Sequence, residues 1–204
     1  QLPAQGKISK DSSSKLRAQY VRHIEEVLST AAQVDNNGDS FAALNMLTHK
    51  GQPFAKSHAF FKGKDTFRKQ YLMSLAEIAV KTKKCDIARN AAEEILSNSN
   101  SITSVDYLAQ VYVSCGDANK AFSLIKPTLT VSGYTSLGGK SSSYIDWLMA
   151  TSSLARKTNN VKELVKIIAE NEKYLTGPEQ YYILGSLALE ARLDSTAYSV
   201  LSKG

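Results

Sequence analysis

The stretch that decides the fold is residues 107–125, YLAQVYVSCGDANKAFSLI. Its apolar residues recur at intervals of three and four on both sides of a polar turn, CGDAN at 115–119, which is the spacing of two amphipathic helices. Ala109 and Ala121 place one small residue in each predicted helix, and small side chains allow two helices to cross closely. The stretch therefore predicts an antiparallel helical hairpin.

The same helical period continues along most of the chain. Apolar residues again recur at three and four in Val161, Leu164, Val165 and Ile168, whereas strand-like alternation is nearly absent. The predicted helices are separated by short polar turns, which lie at 36–39, 81–86, 115–119, 157–160 and 191–194. The sequence therefore predicts an all-α chain of about nine or ten helices joined as antiparallel hairpins.

Composition is that of a globular chain with a core. The chain has 204 residues, of which 43% are hydrophobic and 22% charged, and this excludes membrane-embedded, fibrous and wholly disordered classes. Residues 1–14 are polar and rich in serine, so we expect a flexible leader followed by one helical domain at 15–204. Residues 127–143 begin at a helix-ending proline and contain three glycines, which predicts an insertion with an exposed middle.

The hairpin at 107–125 resembles the tetratricopeptide repeat (TPR). The family pattern is Trp-x2-Leu-Gly-x2-Tyr, then a turn, then Ala-x3-Phe. The residues that correspond to it are Leu108, Ala109, Tyr112, Gly116, Ala121 and Ile125. The resemblance implies an α-solenoid of stacked TPR-like hairpins.

Further hairpins match the same pattern less closely. The corresponding first-helix positions are 75, 108, 150 and 184, so the steps are 33, 42 and 34, against a family period of 34, and the insertion explains the long step. The third hairpin needs one extra turn residue before Leu164, and the last has Ala188 where the family has tyrosine. A looser unit lies within 15–50, with Gly38 and Ala43 in the turn and small-residue positions.

The resemblance also implies a function. Such repeats are non-catalytic scaffolds or adaptors that bind a peptide or helix of a protein partner in a concave groove, within a larger assembly. Counted from the matched residues, Leu148 and Ser152 lie on the groove face beside the predicted groove residues, which are Gln70, Met73, Glu77, Lys81, Asp106, Gln110, Ser114, Arg156, Tyr182 and Glu190. This set lacks the Lys/Asn/Arg group with which chaperone-binding relatives clamp a terminal carboxylate.

The sequence contains no pattern typical of an active site, so we predict neither an enzyme nor a bound cofactor or metal. His23, His49 and His58 have no partner at metal-ligand spacing. Residues 35–40, DNNGDS, resemble the start of a calcium loop, but Met46 stands where a bidentate glutamate is required. We interpret this segment as a turn with a helix N-cap.

Positive charge is concentrated in one part of the chain. The net charge is +6, and residues 50–84 contain nine basic residues against two acidic ones. A solvated face, an anionic protein partner and a nucleic-acid-binding helical repeat are the three interpretations, and nucleic acid is the alternative function. The basic patch that would carry it consists of Lys56, Lys62, Lys64, Arg68, Lys69, Lys83 and Lys84.

The two cysteines bear on the compartment. Cys85 and Cys115 lie in turns of neighbouring predicted hairpins, so they form either a disulfide or two free thiols. A disulfide, together with a chain that starts at Gln1 after removal of a signal peptide, favours a periplasmic or exported protein; free thiols favour the cytoplasm. The sequence leaves both interpretations open, and it has no apolar run long enough to span a membrane.

Overall fold

The computed structural model describes residues 10–51 and 66–203, and all regular structure in these ranges is helical. Two compact units are present, Gln1–Ile95 and Leu96–Gly204. The all-α prediction is therefore confirmed for the described residues. The assignment of 15–204 to a single domain stays a prediction.

The first unit contains three long helices and a short one. They are α1 (Lys10–Asn36), α2 (Ser40–Met46), α3 (Thr66–Lys81) and the start of α4 (Cys85–Asn98), and a π-helical turn, Leu47–Gly51, follows α2. Helix α1 begins inside the segment that we predicted as a leader, while residues 1–9 lie outside the described ranges. Helices α1, α2 and α3 pack against one another.

One buried tyrosine anchors the core of this unit. The hydroxyl of Tyr71 in α3 donates a hydrogen bond to the carbonyl oxygen of Leu47 at 2.9 Å. Burial raises the pKa of Tyr71 to about 12, with a further contribution from the charge of Glu94. The phenol therefore stays protonated and keeps its hydrogen bond at every ordinary pH.

The second unit consists of shorter helices. These are α5 (Ile102–Ser114), α6 (Ala118–Ile125), α7 (Val131–Ser136), α8 (Tyr144–Ala150), α9 (Ser152–Lys157), α10 (Val161–Glu170), α11 (Pro178–Glu190) and α12 (Asp194–Leu201). The described ranges thus hold twelve α-helical segments instead of nine or ten, because a break at Thr151 separates α8 from α9 and α7 lies inside the predicted insertion.

Four hairpins close with the same turn. In each, a residue with positive φ follows the first helix, and the next backbone N–H donates to the carbonyl oxygen five residues earlier at 2.7–2.8 Å. This is the Schellman arrangement, which satisfies the last carbonyls of a helix. The residues with positive φ are Lys83, Gly116, Asn159 and Arg192.

These turns correct the register of the third hairpin. The four positive-φ residues are 33, 43 and 33 residues apart, so the first-helix position equivalent to Leu108 is Thr151, not Ala150. Thr151 is 4% exposed, whereas Ala150 is exposed. In this register Leu164 needs no extra turn residue, since it lies as far from Thr151 as Ala121 does from Leu108.

The α1–α2 hairpin has the same type of turn. Gly38 has φ +92, and the N–H of Asp39 donates to the carbonyl oxygen of Val34 at 3.1 Å. The Asp39 carboxylate caps α2 by accepting from the N–H of Ala42 at 2.9 Å. The interpretation of 35–40 as a turn and N-cap is confirmed.

The predicted insertion is largely folded. It contains a 3₁₀ turn (Lys126–Leu129), α7 and a second 3₁₀ turn (Ser141–Ser143). The ring of Tyr134 is buried and lies 5.8 Å from that of Tyr144. The Tyr144 hydroxyl donates to the carbonyl oxygen of Leu129 at 2.6 Å. The expectation of an exposed middle holds only in part, because the exposed positions 130, 132, 136, 138 and 140–142 alternate with buried or half-buried ones.

Candidate functional site

A cavity of about 420 Å³ lies in the second unit. Helix α5 contributes Asp106, Ala109, Gln110, Val113 and Ser114 to its lining, and Ile125 comes from α6. The segment of α8, Thr151 and α9 contributes Trp147, Ala150, Thr151, Ser153, Leu154 and Lys157. The helical repeat explains this lining, because residues three and four apart share one face of a helix.

Trp147 forms a fixed wall of the cavity. Its indole Nε1–H donates to the Thr128 hydroxyl at 3.0 Å. Its ring stacks on that of Tyr134, with centroids 6.1 Å apart and an interplanar angle of 25°. An aromatic side chain held on two sides loses little conformational entropy when a ligand binds, so Trp147 is a preorganised contact.

The carboxyl group of Asp106 is the principal charged feature of α5 in this cavity. Its Oδ2 accepts a hydrogen bond from Gln110 Nε2 at 2.8 Å. Burial raises the pKa of Asp106, and the hydrogen bond from Gln110 opposes that shift in part. Lys157, from α9, supplies a positive charge to the same lining. The cavity thus combines apolar walls with one acidic and one basic group.

Comparison with solved structures identifies the architecture. The crystal structure of "Podosopora anserina putative kinesin light chain nearly identical TPR-like repeats" superposes with a TM-score of 0.57 at 16% sequence identity. A variant of that protein superposes with a TM-score of 0.56, also at 16% identity. In both cases 90% of this chain and 93% of the other are covered. The chain has a TPR-like repeat fold.

Comparisons by sequence give no match: no family model and no curated relative corresponds to this chain. The TPR-like fold confirms the α-solenoid class that the motifs at 107–125 implied.

Three predicted groove residues of the TPR-like repeat lie together. Asp106, Gln110 and Ser114 all line the cavity in the second unit. They lie on one face of α5 at intervals of four residues, as the sequence pattern indicated.

The third hairpin presents different residues from those predicted. Ser153 and Lys157 line the cavity, whereas Ser152 and Arg156 do not, and Leu148 is fully buried in the core. The physical reason is the one-residue shift in register established by the turn at Asn159. Successive side chains of an α-helix point about 100° apart around the helix axis. A shift of one residue therefore moves the predicted set off the face that lines the cavity.

Arg156 instead forms an ion pair with another predicted residue. Its Nε lies 2.8 Å from Glu190 Oε2, which joins α9 to α11. The two side chains are about half exposed, so the pair contributes little to stability. Tyr182, also on α11, is 68% exposed and lines a second cavity of about 380 Å³ with Pro178, Glu179 and Leu201.

The four predicted groove residues of the first unit lie on α3. Gln70 and Glu77 are exposed, and Met73 is half-buried. Lys81 forms an ion pair with Asp35 of α1. The hydrogen bonds from Lys81 and then from the Ser40 hydroxyl lower the pKa of Asp35. Lys81 therefore joins α3 to α1, a structural role that sequence analysis did not predict.

The predicted basic patch is only partly described. Lys56, Lys62 and Lys64 lie outside the described residues. Arg68 is mostly covered, and its Nε donates to Glu94 Oε1 at 2.7 Å. Its charge is therefore compensated within the unit, which corrects its assignment to an open basic surface. The remaining members, Lys69, Lys83 and Lys84, are exposed.

Other sequence features have simple structural outcomes. Cys85 begins α4 and Cys115 is the C-cap residue of α5, and neither is a free thiol because both are disulfide-bonded. The Nδ1 atom of His49 lies 3.1 Å from the carbonyl oxygen of Asn45, one turn earlier.

Among the described residues, no group of three or more His, Cys, Asp or Glu side chains is arranged to hold a metal ion. No helix in the described ranges is long and apolar enough to cross a membrane.

Trp147, Ser153 and Lys157 are among the cavity residues that sequence analysis missed. Trp147 is not among the predicted groove residues, although its side chain packs against the core and also lines the cavity. Lys157 required the corrected register. The sequence contained a clue to this register in the polar turn at 157–160. Its last two residues, Asn159 and Asn160, correspond to Gly116 and Asp117 of the turn in the second hairpin.

Proposed function

We propose that this chain is a non-catalytic scaffold that binds a segment of a protein partner, as one component of a larger assembly. The observation that carries the proposal is the cavity between α5 and the α8–α9 segment, with a rigid tryptophan and apolar walls beside Asp106, Gln110 and Lys157. Such a mixture of a partly buried aromatic anchor and a polar rim is typical of protein interaction sites.

Size also favours a peptide segment. The cavity-lining part of α5 runs from Asp106 to Ser114, which corresponds to about 12 Å at 1.5 Å per helical residue. An extended chain advances about 3.3 Å per residue, so the cavity takes about four residues of a partner. Four residues give modest affinity by themselves, which suits a site within a larger assembly.

The test is to fill the cavity without disturbing the core. Ala150 lines the cavity and is exposed, so Ala150→Trp adds bulk where a partner would lie. Ala32 is an exposed alanine of α1 in the first unit, and Ala32→Trp is the matched control. Affinity capture with cross-linking and mass spectrometry, followed by binding measurements on the recovered segment, compares the two variants.

We expect the partner segment to bind the wild-type chain and Ala32→Trp equally, and to bind Ala150→Trp at least about tenfold more weakly. Cross-links should map to α5, α8 and α9. Equal binding by Ala150→Trp would overturn the proposal. Binding of nucleic acid that weakens steeply between 50 and 200 mM salt would support the alternative function through Lys69, Lys83 and Lys84.

A further inference from the structure

The carboxylate of Asp106 differs from the other half-buried acidic groups described in its unit. Asp117, Glu163 and Glu172 each pair with a lysine side chain. Within the described part of the chain, no cation pairs with Asp106, which accepts only the hydrogen bond from Gln110. It is also half-buried at the wall of the cavity. A half-buried charge without a counter-charge is unfavourable, so a cationic group that enters the cavity gains a favourable pairing with this carboxylate.

The surroundings of Asp106 define the chemistry of that group. Apolar surface from Ala109, Val113 and Leu154 lies beside the carboxylate in the same lining, and the indole of Trp147 faces the same space. Arginine and lysine combine an aliphatic stem, which packs on apolar surface, with a charged head that pairs with a carboxylate. The indole ring adds a favourable face for a cation.

Building on the proposed function, we propose that the cavity selects a partner segment carrying one arginine or lysine, whose charged head pairs with Asp106. An adjacent apolar side chain of that segment packs on Val113 and Leu154. Lys157 lies in the same lining and repels a second cation, so the site favours a single basic residue beside an apolar one and disfavours a long basic run. The carboxylate likewise disfavours a phosphate backbone.

The probes are pools of eight-residue peptides with blocked ends. One central position is arginine, lysine, citrulline or glutamate, and the other positions are random mixtures of Ala, Leu, Val, Ser, Gln and Tyr. Citrulline has nearly the shape of arginine without its charge. Because Trp147 is the only tryptophan of the chain and lines the cavity, its fluorescence reports binding directly.

Three variants accompany the wild-type chain. Asp106→Asn removes the charge and keeps an oxygen that can accept from Gln110, and Ala150→Trp fills the cavity. Glu170→Gln removes an exposed carboxylate of α10 that does not line this cavity, and it is the matched control. We expect the arginine and lysine pools to bind about tenfold or more tightly than the citrulline and glutamate pools. Asp106→Asn should abolish that preference, and Glu170→Gln should keep it.

The outcomes separate the two proposals. Equal binding of the citrulline and arginine pools, with loss of both in Ala150→Trp, overturns the charge selection and leaves the binding site in place. A preference for basic pools that survives Asp106→Asn also overturns it. If no pool binds, or if a 20-nucleotide polyuridylate binds in the cavity instead, both the inference and the proposed function are wrong.

Discussion

The indole Nε1–H of Trp147 donates to the Thr128 hydroxyl at 3.0 Å, and this bond joins the cavity wall to the folded insertion. Thr128 is buried and in turn donates to the carbonyl oxygen of Ile125 at 2.6 Å. The orientation of the tryptophan that we place in the binding site therefore depends on a residue outside the repeat pattern.

Replacing the hydroxyl tests this dependence. Thr128→Val keeps the shape of the side chain but leaves the half-buried indole N–H without an acceptor, and we expect the free energy of unfolding to fall by about 1–3 kcal/mol. Thr128→Ser keeps the hydroxyl and is the control, with a smaller loss. Urea unfolding followed by Trp147 fluorescence measures both, and identical curves for the two variants would contradict the structural role of the bond.

A second prediction concerns the buried tyrosine of the insertion. Tyr144 is fully buried and its hydroxyl donates to Leu129, so Tyr144→Phe should cost about 1–3 kcal/mol by leaving that carbonyl without a partner. Tyr198 is 80% exposed, and Tyr198→Phe should leave stability unchanged. Thermal unfolding of the two variants makes the comparison. A loss of equal size in both would argue against the Leu129 contact.

Alkaline pH gives a third prediction. Burial raises the pKa of both Tyr71 and Tyr144 to about 12, while tyrosines of the unfolded chain ionise near 10. Between these values the native state binds more protons than the unfolded state, so the free energy of unfolding should fall as pH rises from about 10 to about 12. Stability measured by urea unfolding at several pH values should show this slope. It should be smaller in the Tyr71→Phe/Tyr144→Phe double variant, and an unchanged slope would exclude these phenols as its cause.

Asp106 gives a fourth prediction, at acid pH. Its folded-state pKa is raised, so the native state holds its proton more tightly than the unfolded state, and ionisation above about pH 4 works against folding. Asp106→Asn should therefore be at least as stable as the wild-type chain at pH 7, and the difference should vanish towards pH 3. Chemical denaturation at both pH values measures it. A variant less stable at pH 7 would mean that the carboxylate supports folding, not binding.

Close helix packing gives a fifth prediction. Ala121 is fully buried where α6 meets α5, and a Cβ atom on Gly185 would lie 2.4 Å from the Leu201 side chain. Ala121→Leu and Gly185→Leu should each cost about 1–3 kcal/mol by overpacking, whereas Ser186→Leu, at an exposed position beside Gly185, should not. Thermal melts that are unchanged for both buried positions would contradict the hairpin register.

The sequence alone determined the features that depend on local physics. Apolar spacing fixed the helical class, and polar turn residues located the hairpins at 36–39, 81–86, 115–119, 157–160 and 191–194, where the structure has its turns. Helical period and turn chemistry act over a few residues, so a single sequence contains them in full. The small residues Ala109 and Ala121 likewise indicated a close helix crossing, and both are buried.

Only the tertiary structure decided the features that depend on partners distant in sequence. The register of the third hairpin was not evident from the sequence, because a polar residue, Thr151, occupies a repeat position that is usually apolar. Thr151 can be buried there because its hydroxyl donates to the carbonyl oxygen of Leu148 at 2.7 Å. The pairing of Arg68 with Glu94 removed one charge from the predicted basic patch. The stacking of Tyr134 on Trp147 makes part of a predicted exposed insertion a support for one wall of the cavity. Such contacts form between residues that folding brings together, and no local pattern of residue types records them.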